Sequence, residues 1–125
     1  MSPHILLEGK ITMAPPSWLQ GFPGAITICD TRGIILFMND KSIESFKSDG
    51  GKDLLGKNLL DCHPQPWRGK LEQLIEAQQT NVYTIEKKGV KKLIYQAPWF
   101  EEGQYRGFLE LSLEIPFELP HFNRG

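Results

Sequence analysis

His63 lies between Cys62 and Pro64, just ahead of a stretch with helical spacing. An imidazole there has the chemistry to ligate haem iron or to hydrogen-bond a ligand carboxylate. It could equally close a loop or face solvent. Cys62 beside it suggests a thiolate–imidazole pair. Side chains adjacent in sequence rarely point at each other, and no third group is placed to orient them, so a catalytic cysteine is not expected. The other histidines, His4 and His121, fall in the two terminal segments. No set of three or four zinc ligands emerges, and no metal site is expected.

Three other patterns look chemical and are better read as structure. The run from Gly51 to Asn58 nearly matches the phosphate loop G-x-x-x-x-G-K-[ST]. It fails at Asn58, which replaces the magnesium-binding hydroxyl, and it lacks a preceding strand and a following long helix. Lys87, Lys88, Lys91 and Lys92 crowd one hairpin beside Glu86. Without interleaved aromatics they read as a wet hairpin tip, not a nucleic-acid patch. Glu101-Glu102 reads as a turn rather than a catalytic carboxylate pair. No catalytic residue stands out, and the chain is not expected to be an enzyme. A small isomerase or hydrolase on a cone-like α+β fold would open with a long helix and offer a basic carboxylate, and neither is found.

The whole chain agrees. It has 125 residues with 14 basic against 15 acidic side chains, for a net charge of −1. That balance gives no electrostatic pull toward nucleic acid or an anionic membrane. Hydrophobic residues make up 40% and charged ones 23%, which fits one globular domain with a real core. The early run Ile5-Leu6-Leu7 is too short for a secretion signal, and no stretch approaches the roughly 20 apolar residues of a membrane helix. Cys29 and Cys62 lack C-x-x-C spacing, so a cytoplasmic protein with reduced thiols is expected.

The elements that must position these residues can be read in order. Residues 1–16 form a loose leader ending at Pro15-Pro16, and Ser17 caps a short helical turn. Residues 25–29 and 34–38 are strands around the turn Asp30-Thr31-Arg32-Gly33. Asn39 caps a helix over 40–47. Short turns and an irregular stretch follow, with Leu59 and Leu60 as anchors. Pro66 suits the first position of a helix reaching about residue 79, where Trp67, Leu71, Leu74 and Ile75 make one apolar stripe. Strands over 82–86, 91–100 and 104–115 complete the domain at about residue 116, and residues 117–125 are a polar tail. In the last strand, period-two alternation places Tyr105, Gly107, Leu109, Leu111, Leu113 and Ile115 inward. The expectation is an α+β fold: a five-stranded antiparallel sheet with helices on one face.

This order and spacing resemble the PAS domain family over about residues 18–116. The resemblance rests on the first hairpin with its Asp30-Thr31-Arg32-Gly33 turn, on Asn39 opening a helix, on Gly56-Lys57-Asn58-Leu59-Leu60-Asp61 before a long helix, and on the closing strand. Leu60-Asp61-Cys62-His63-Pro64 is similar to a Cys-His-Pro variant of some bacterial PAS domains. The chain departs from the family at Glu114-Ile115-Pro116, where Asp-Ile-Thr usually leads into an output helix. A stand-alone sensor or a fragment of a larger protein is therefore expected.

The resemblance implies a cytoplasmic sensory module of a signalling system. It would bind a small molecule between sheet and helices and signal through protein contacts, as a homodimer or with a signalling partner. It does not select a cofactor, since PAS domains bind haem, flavin, carboxylic acids, lipids or nothing detectable. Haem-binding relatives carry the proximal His on the long helix, and residues 67–79 contain none. The candidate ligand-binding residues are Phe37, His63, Trp67, Tyr95 and Trp99, with His63 as the polar contact and the aromatics as walls. The alternative is a pure interaction module with a filled core. Phe108 and the apolar leader residues raise a further expectation: the leader, or a second subunit, covers the outer sheet face.

Overall fold

Strand β3 (Ala25–Asp30) and strand β4 (Ile35–Met38) form the first hairpin of the main sheet. Its turn forms as the sequence expects. The Asp30 carboxylate accepts the amides of Arg32 and Ile34 at 2.9 and 3.0 Å, and Gly33 takes the positive φ of 89° that closes the turn. The structure, a computed structural model, describes residues 4–7, 10–13 and 15–125, the first two stretches by their backbone alone.

Two short strands, β1 (His4–Leu7) and β2 (Lys10–Met13), pair antiparallel ahead of the main sheet, and β2 runs beside β4. The leader thus holds a hairpin where a loose segment was expected. Its side chains lie outside the described residues, as does the question of what they cover. Helix α1 (Ser17–Gln20) follows; Pro16 precedes it and Ser17 makes no side-chain cap. Helix α2 (Asp40–Ser45) leads into three 3-10 turns at Lys47–Asp49, Gly51–Leu54 and Leu59–Cys62. Helix α3 (Trp67–Ala77) ends at Gln78, which adopts the left-handed conformation. Its start lacks a cap from Pro66 itself, but the Gln65 side chain accepts the Gly69 amide at 3.1 Å. Strands β5 (Asn81–Lys87), β6 (Val90–Glu101) and β7 (Gln104–Ile115) complete a five-stranded antiparallel sheet in the order β4-β3-β7-β6-β5. The first and last strands of this sheet, β3 and β7, lie side by side.

The helices and turns gather on one face. Cys29 and Phe108, cross-strand partners, pack there against Leu71, Leu74 and Ile75 of α3. Ile35, Met38 and Leu54 make a second cluster on the same side. The sheet register reverses the expected facing of β7. Phe108 and Glu110 point toward the helices, while alternation puts Leu111 and Leu113 on the far face; Leu109, between Phe108 and Glu110, still borders the cavity. A register shift between Trp99 and Phe100 returns Tyr105 to the helix side, where its hydroxyl donates to the Ile75 carbonyl at 2.7 Å. Period two identifies which residues share a face but not which face is covered. Here the apolar set lies outside and a polar residue of β7 lies within.

Candidate functional site

Two asparagines frame the site from below. Asn39 has no exposed surface. Its side-chain oxygen accepts the amides of Ile26 (2.9 Å) and Ser42 (3.0 Å), and its amide nitrogen reaches the carbonyl oxygens of Gly24 (2.8 Å), Leu19 (3.2 Å) and Phe22 (3.3 Å). It therefore caps α2 and also ties α1 and β3 to that cap. Asn58 does the same for the Leu59–Cys62 turn. It accepts the Leu60 amide at 2.9 Å and donates to the Arg32 carbonyl at 3.1 Å. That second bond fixes the segment bearing His63 to the first hairpin. Arg68 adds exposed ion pairs to Asp61 (3.5 Å) and Glu72 (3.4 Å), which help orient the entry to α3.

Above this frame lie two connected spaces. A small cavity of about 50 Å³ sits between the sheet and the turns, among Cys29, Met38, Leu54, Phe108 and Glu110. An open groove of about 560 Å³ runs between α3 and β5, along Trp67, Lys70, Leu74, Tyr83 and Ile85. His63, Leu71 and Gln96 line both. Gln96 is buried and central to a polar chain. It accepts from Asn81 at 3.0 Å and donates to Glu110 at 2.8 Å. His63 places Nδ1 2.8 Å from the Leu59 carbonyl oxygen. A carbonyl only accepts, so Nδ1 carries the proton and Nε2 of the neutral ring is left as an acceptor.

The structure brings together two of the five residues expected to bind a ligand. His63 and Trp67 both line the groove, and Trp67 is 65% exposed. Phe37, Tyr95 and Trp99 belong to the far face. Phe37 is paired with Ile28, whose neighbour Thr27 faces the cavity, and it is buried. Tyr95 pairs with Val82 and Leu111, beside Gln96 that points the other way. Trp99 crosses Gly107 and donates from Nε1 to the Cys29 carbonyl at 3.1 Å. The aromatic character of these strands marked packing, and the pleat decided the side. Asn81, Tyr83, Gln96 and Glu110 were missed. The signal was a polar residue set among apolar neighbours, Gln96 after Leu93-Ile94-Tyr95 in β6 and Glu110 between Leu109 and Leu111 in β7, and the two become partners only once the register is known.

Neither thiol is tuned for reaction. Burial, reinforced by Asp30 and Glu110, pushes Cys29 up to about 12. Partial burial and the nearby Asp49 and Asp61 raise Cys62 above the usual thiol range. Reactive cysteines need the opposite shift. Burial first, and then the Glu110 carboxylate, raises Tyr83, which keeps a phenol rather than a phenolate at the groove. No cluster of three metal-ligating side chains occurs among the described residues, and no described helix is long and apolar enough to cross a membrane.

A five-stranded antiparallel sheet with its short helices on one face, and a cavity between them, is the PAS fold. Solved structures agree with it along most of the chain. A C-terminal domain from Streptococcus mutans superposes with a TM-score of 0.64 at 19% identity, over 90% of this chain and 92% of that one. The PAS domain of an HTR-like protein from Haloarcula marismortui gives 0.56 at 15%, over 79% and 87%. A structure of the Aer2 receptor from Vibrio cholerae, described as a dual PAS-heme oxygen sensor, gives 0.53 at 16%, over 74% and 95%. No family model and no curated protein matches the sequence.

Proposed function

We propose that this chain is a non-enzymatic sensory module of a signal-transduction system, with residues 17–116 as its working domain in the cytoplasm. A small molecule enters the groove between α3 and β5. Its apolar body lies against Trp67, Leu74 and Ile85, and its polar end meets His63, Asn81 and Gln96. Binding favours one packing of sheet and α3 over another, and a partner protein or second copy reads the difference. The observation that carries this reading is the groove itself. Its volume of about 560 Å³ lies within the range of sites that hold small ligands, roughly 300–1,000 Å³. The neighbours from sensor proteins support the signalling role.

The test is a native mass spectrum of the purified protein, followed by thermal denaturation across a metabolite panel. A co-purifying mass or a stabilising metabolite, lost in the Trp67→Ala variant, is expected. No bound mass and no stabilisation anywhere in the panel would sink the ligand reading. That outcome favours the second reading, a pure interaction module. The observation behind this alternative is the small cavity under the turns, whose 50 Å³ is room for little more than a water or two. Haem fits poorly with the residues present. Helix α3 offers no imidazole, and the cavity of about 50 Å³ between sheet and turns is far smaller than a porphyrin. No step is assigned to it.

A further inference from the structure

The β5 edge of the sheet is bare. No strand pairs with its outer side among the described residues. In an antiparallel ladder, alternate residues of an edge strand turn both N–H and C=O outward, so three or four residues of β5 present unpaired groups. Proteins usually blunt such an edge with a proline, a bulge, a charge in mid-strand or a very short strand. β5 has none of these. It runs seven residues in unbroken register with β6, and its middle is Val82-Tyr83-Thr84-Ile85. Val82, Tyr83 and Ile85 are among the large apolar side chains left exposed, and Trp67 stands across the groove from the last two.

We propose that β5 is a pairing edge and that its occupant is β5 of a second copy of this chain, joined antiparallel about a two-fold axis through Thr84. The strand is complementary to itself in that register. Thr84 faces Thr84, and Tyr83 faces Ile85 of the other copy on the groove side. Threonine pairs and aromatic–β-branched pairs are both favourable cross-strand neighbours. The dipole of α3 favours the same register. Residue 87 of one copy falls opposite residue 81 of the other, so Lys87 and Lys88 reach the C-terminal end of the other copy's α3. The last turn of that helix holds no basic residue, and its Glu76 lies away from the groove, in a space shared with Arg32. A helix C-terminus attracts cations, and the last turn of α3 has none of its own. A two-fold perpendicular to the sheet also keeps both grooves on one side. The proposal goes beyond the ligand reading and does not depend on it.

The experiment uses the full chain. Thr84→Lys and Thr84→Glu set like charges against each other on the axis, while their mixture sets opposite charges there. Sedimentation equilibrium is expected to show a wild-type dimer, at least tenfold weaker association for each variant alone, and recovery on mixing. Thr84 is exposed, so both variants keep the wild-type circular dichroism. In a Cys62→Ser background, the Thr84→Cys thiol is expected to oxidise to a covalent dimer. Opposed α-carbons in a ladder lie about 4.5–5.5 Å apart, within disulfide reach. Val82→Cys is expected not to, because its copies sit roughly 13 Å apart in this register. A monomer at all concentrations overturns the proposal and leaves the edge to a foreign strand or to the chain's own tail. A dimer indifferent to Thr84→Lys, or one that cross-links as readily through Val82→Cys, overturns it as well.

Discussion

At the β4 edge, Ile35 exchanges backbone hydrogen bonds with the loop beside it, donating to Lys57 and accepting from Gly56, both at 2.9 Å. Leu59 donates to Gly33 at 2.8 Å, and all four residues of β4 are buried. At the β5 edge, six of the seven residues are exposed and the flanking space is an open groove. One strand is covered by loops that Asn39 and Asn58 tie in place, and the other is left uncovered. The comparison separates two kinds of cost. Around β3 and β4, a changed side chain disturbs satisfied buried polar groups and costs stability. Around β5 and the start of α3, the same change meets solvent, so it costs recognition instead. Substitutions that violate this division would break the comparison.

The largest effect is expected at Gly107. A Cβ there would lie 1.9 Å from the Cys29 carbonyl oxygen and 2.9 Å from the Asp30 α-carbon, with the Trp99 ring above it. Both nearest obstacles on β3 are backbone, and neither gives way without opening the β3–β7 ladder. Gly107→Ala is expected to destabilise by about 3 kcal/mol or more in urea melts. An unchanged midpoint would mean that this side of the sheet is not rigid. Asn39 comes next. Asn39→Ala strands two amides and up to two carbonyl oxygens, for about 2–3 kcal/mol. Asn39→Asp is expected to rescue little. It keeps the acceptor for Ile26 and Ser42 but turns a second oxygen toward Gly24, Phe22 and Leu19.

These two residues also show what the sequence could reveal. Asn39 was legible because capping is local: an Asn between an apolar strand and a helix has few other uses. The turn at Asp30 and the extent of β7 were legible for the same reason. Gly107 was not, because its need arises chiefly from the Cys29 backbone, far away in the chain and adjacent only in the sheet, with Trp99 of the facing strand closing over it. The candidate site was legible by halves. His63 and Trp67 sit on the segment that enters α3, so a local motif placed them. Phe37, Tyr95 and Trp99 were assigned by aromatic character, and strand pairing put them on the other side. Gln96 and Glu110 needed a cross-strand register that no single stretch of residues contains.

A smaller effect comes from the buried thiol. Cys29 is neutral in the fold up to about pH 12, against 9.0 for an ordinary thiol. Between those values the unfolded chain loses a proton that the folded chain keeps. Its contribution is fully present below about pH 9 and is lost as pH rises through the folded value. The loss should reach about 1.4 kcal/mol by pH 10, with Tyr83 and Tyr105, both raised chiefly by burial, adding to it at higher pH. Cys29→Ala should flatten the alkaline slope, measured as the difference in urea midpoint between pH 8 and pH 10. An identical slope in that variant would assign the loss to other groups.

The smallest effect on stability is expected where the effect on binding is largest. Trp67 begins α3, yet the helix is anchored further along, by Leu71, Leu74 and Ile75 and by the hydrogen bond from Tyr105. The indole meets mostly solvent and covers little of the core. Trp67→Ala should therefore change the unfolding free energy by no more than about 0.5 kcal/mol, as for other exposed sites. If Trp67 is a wall of the groove, the same variant should lose the stabilisation that a ligand gives the wild type. A large loss of stability without ligand would instead make Trp67 part of the packed half. It would also move the boundary between the two halves from β5 to the start of α3, leaving a groove bounded by β5 alone.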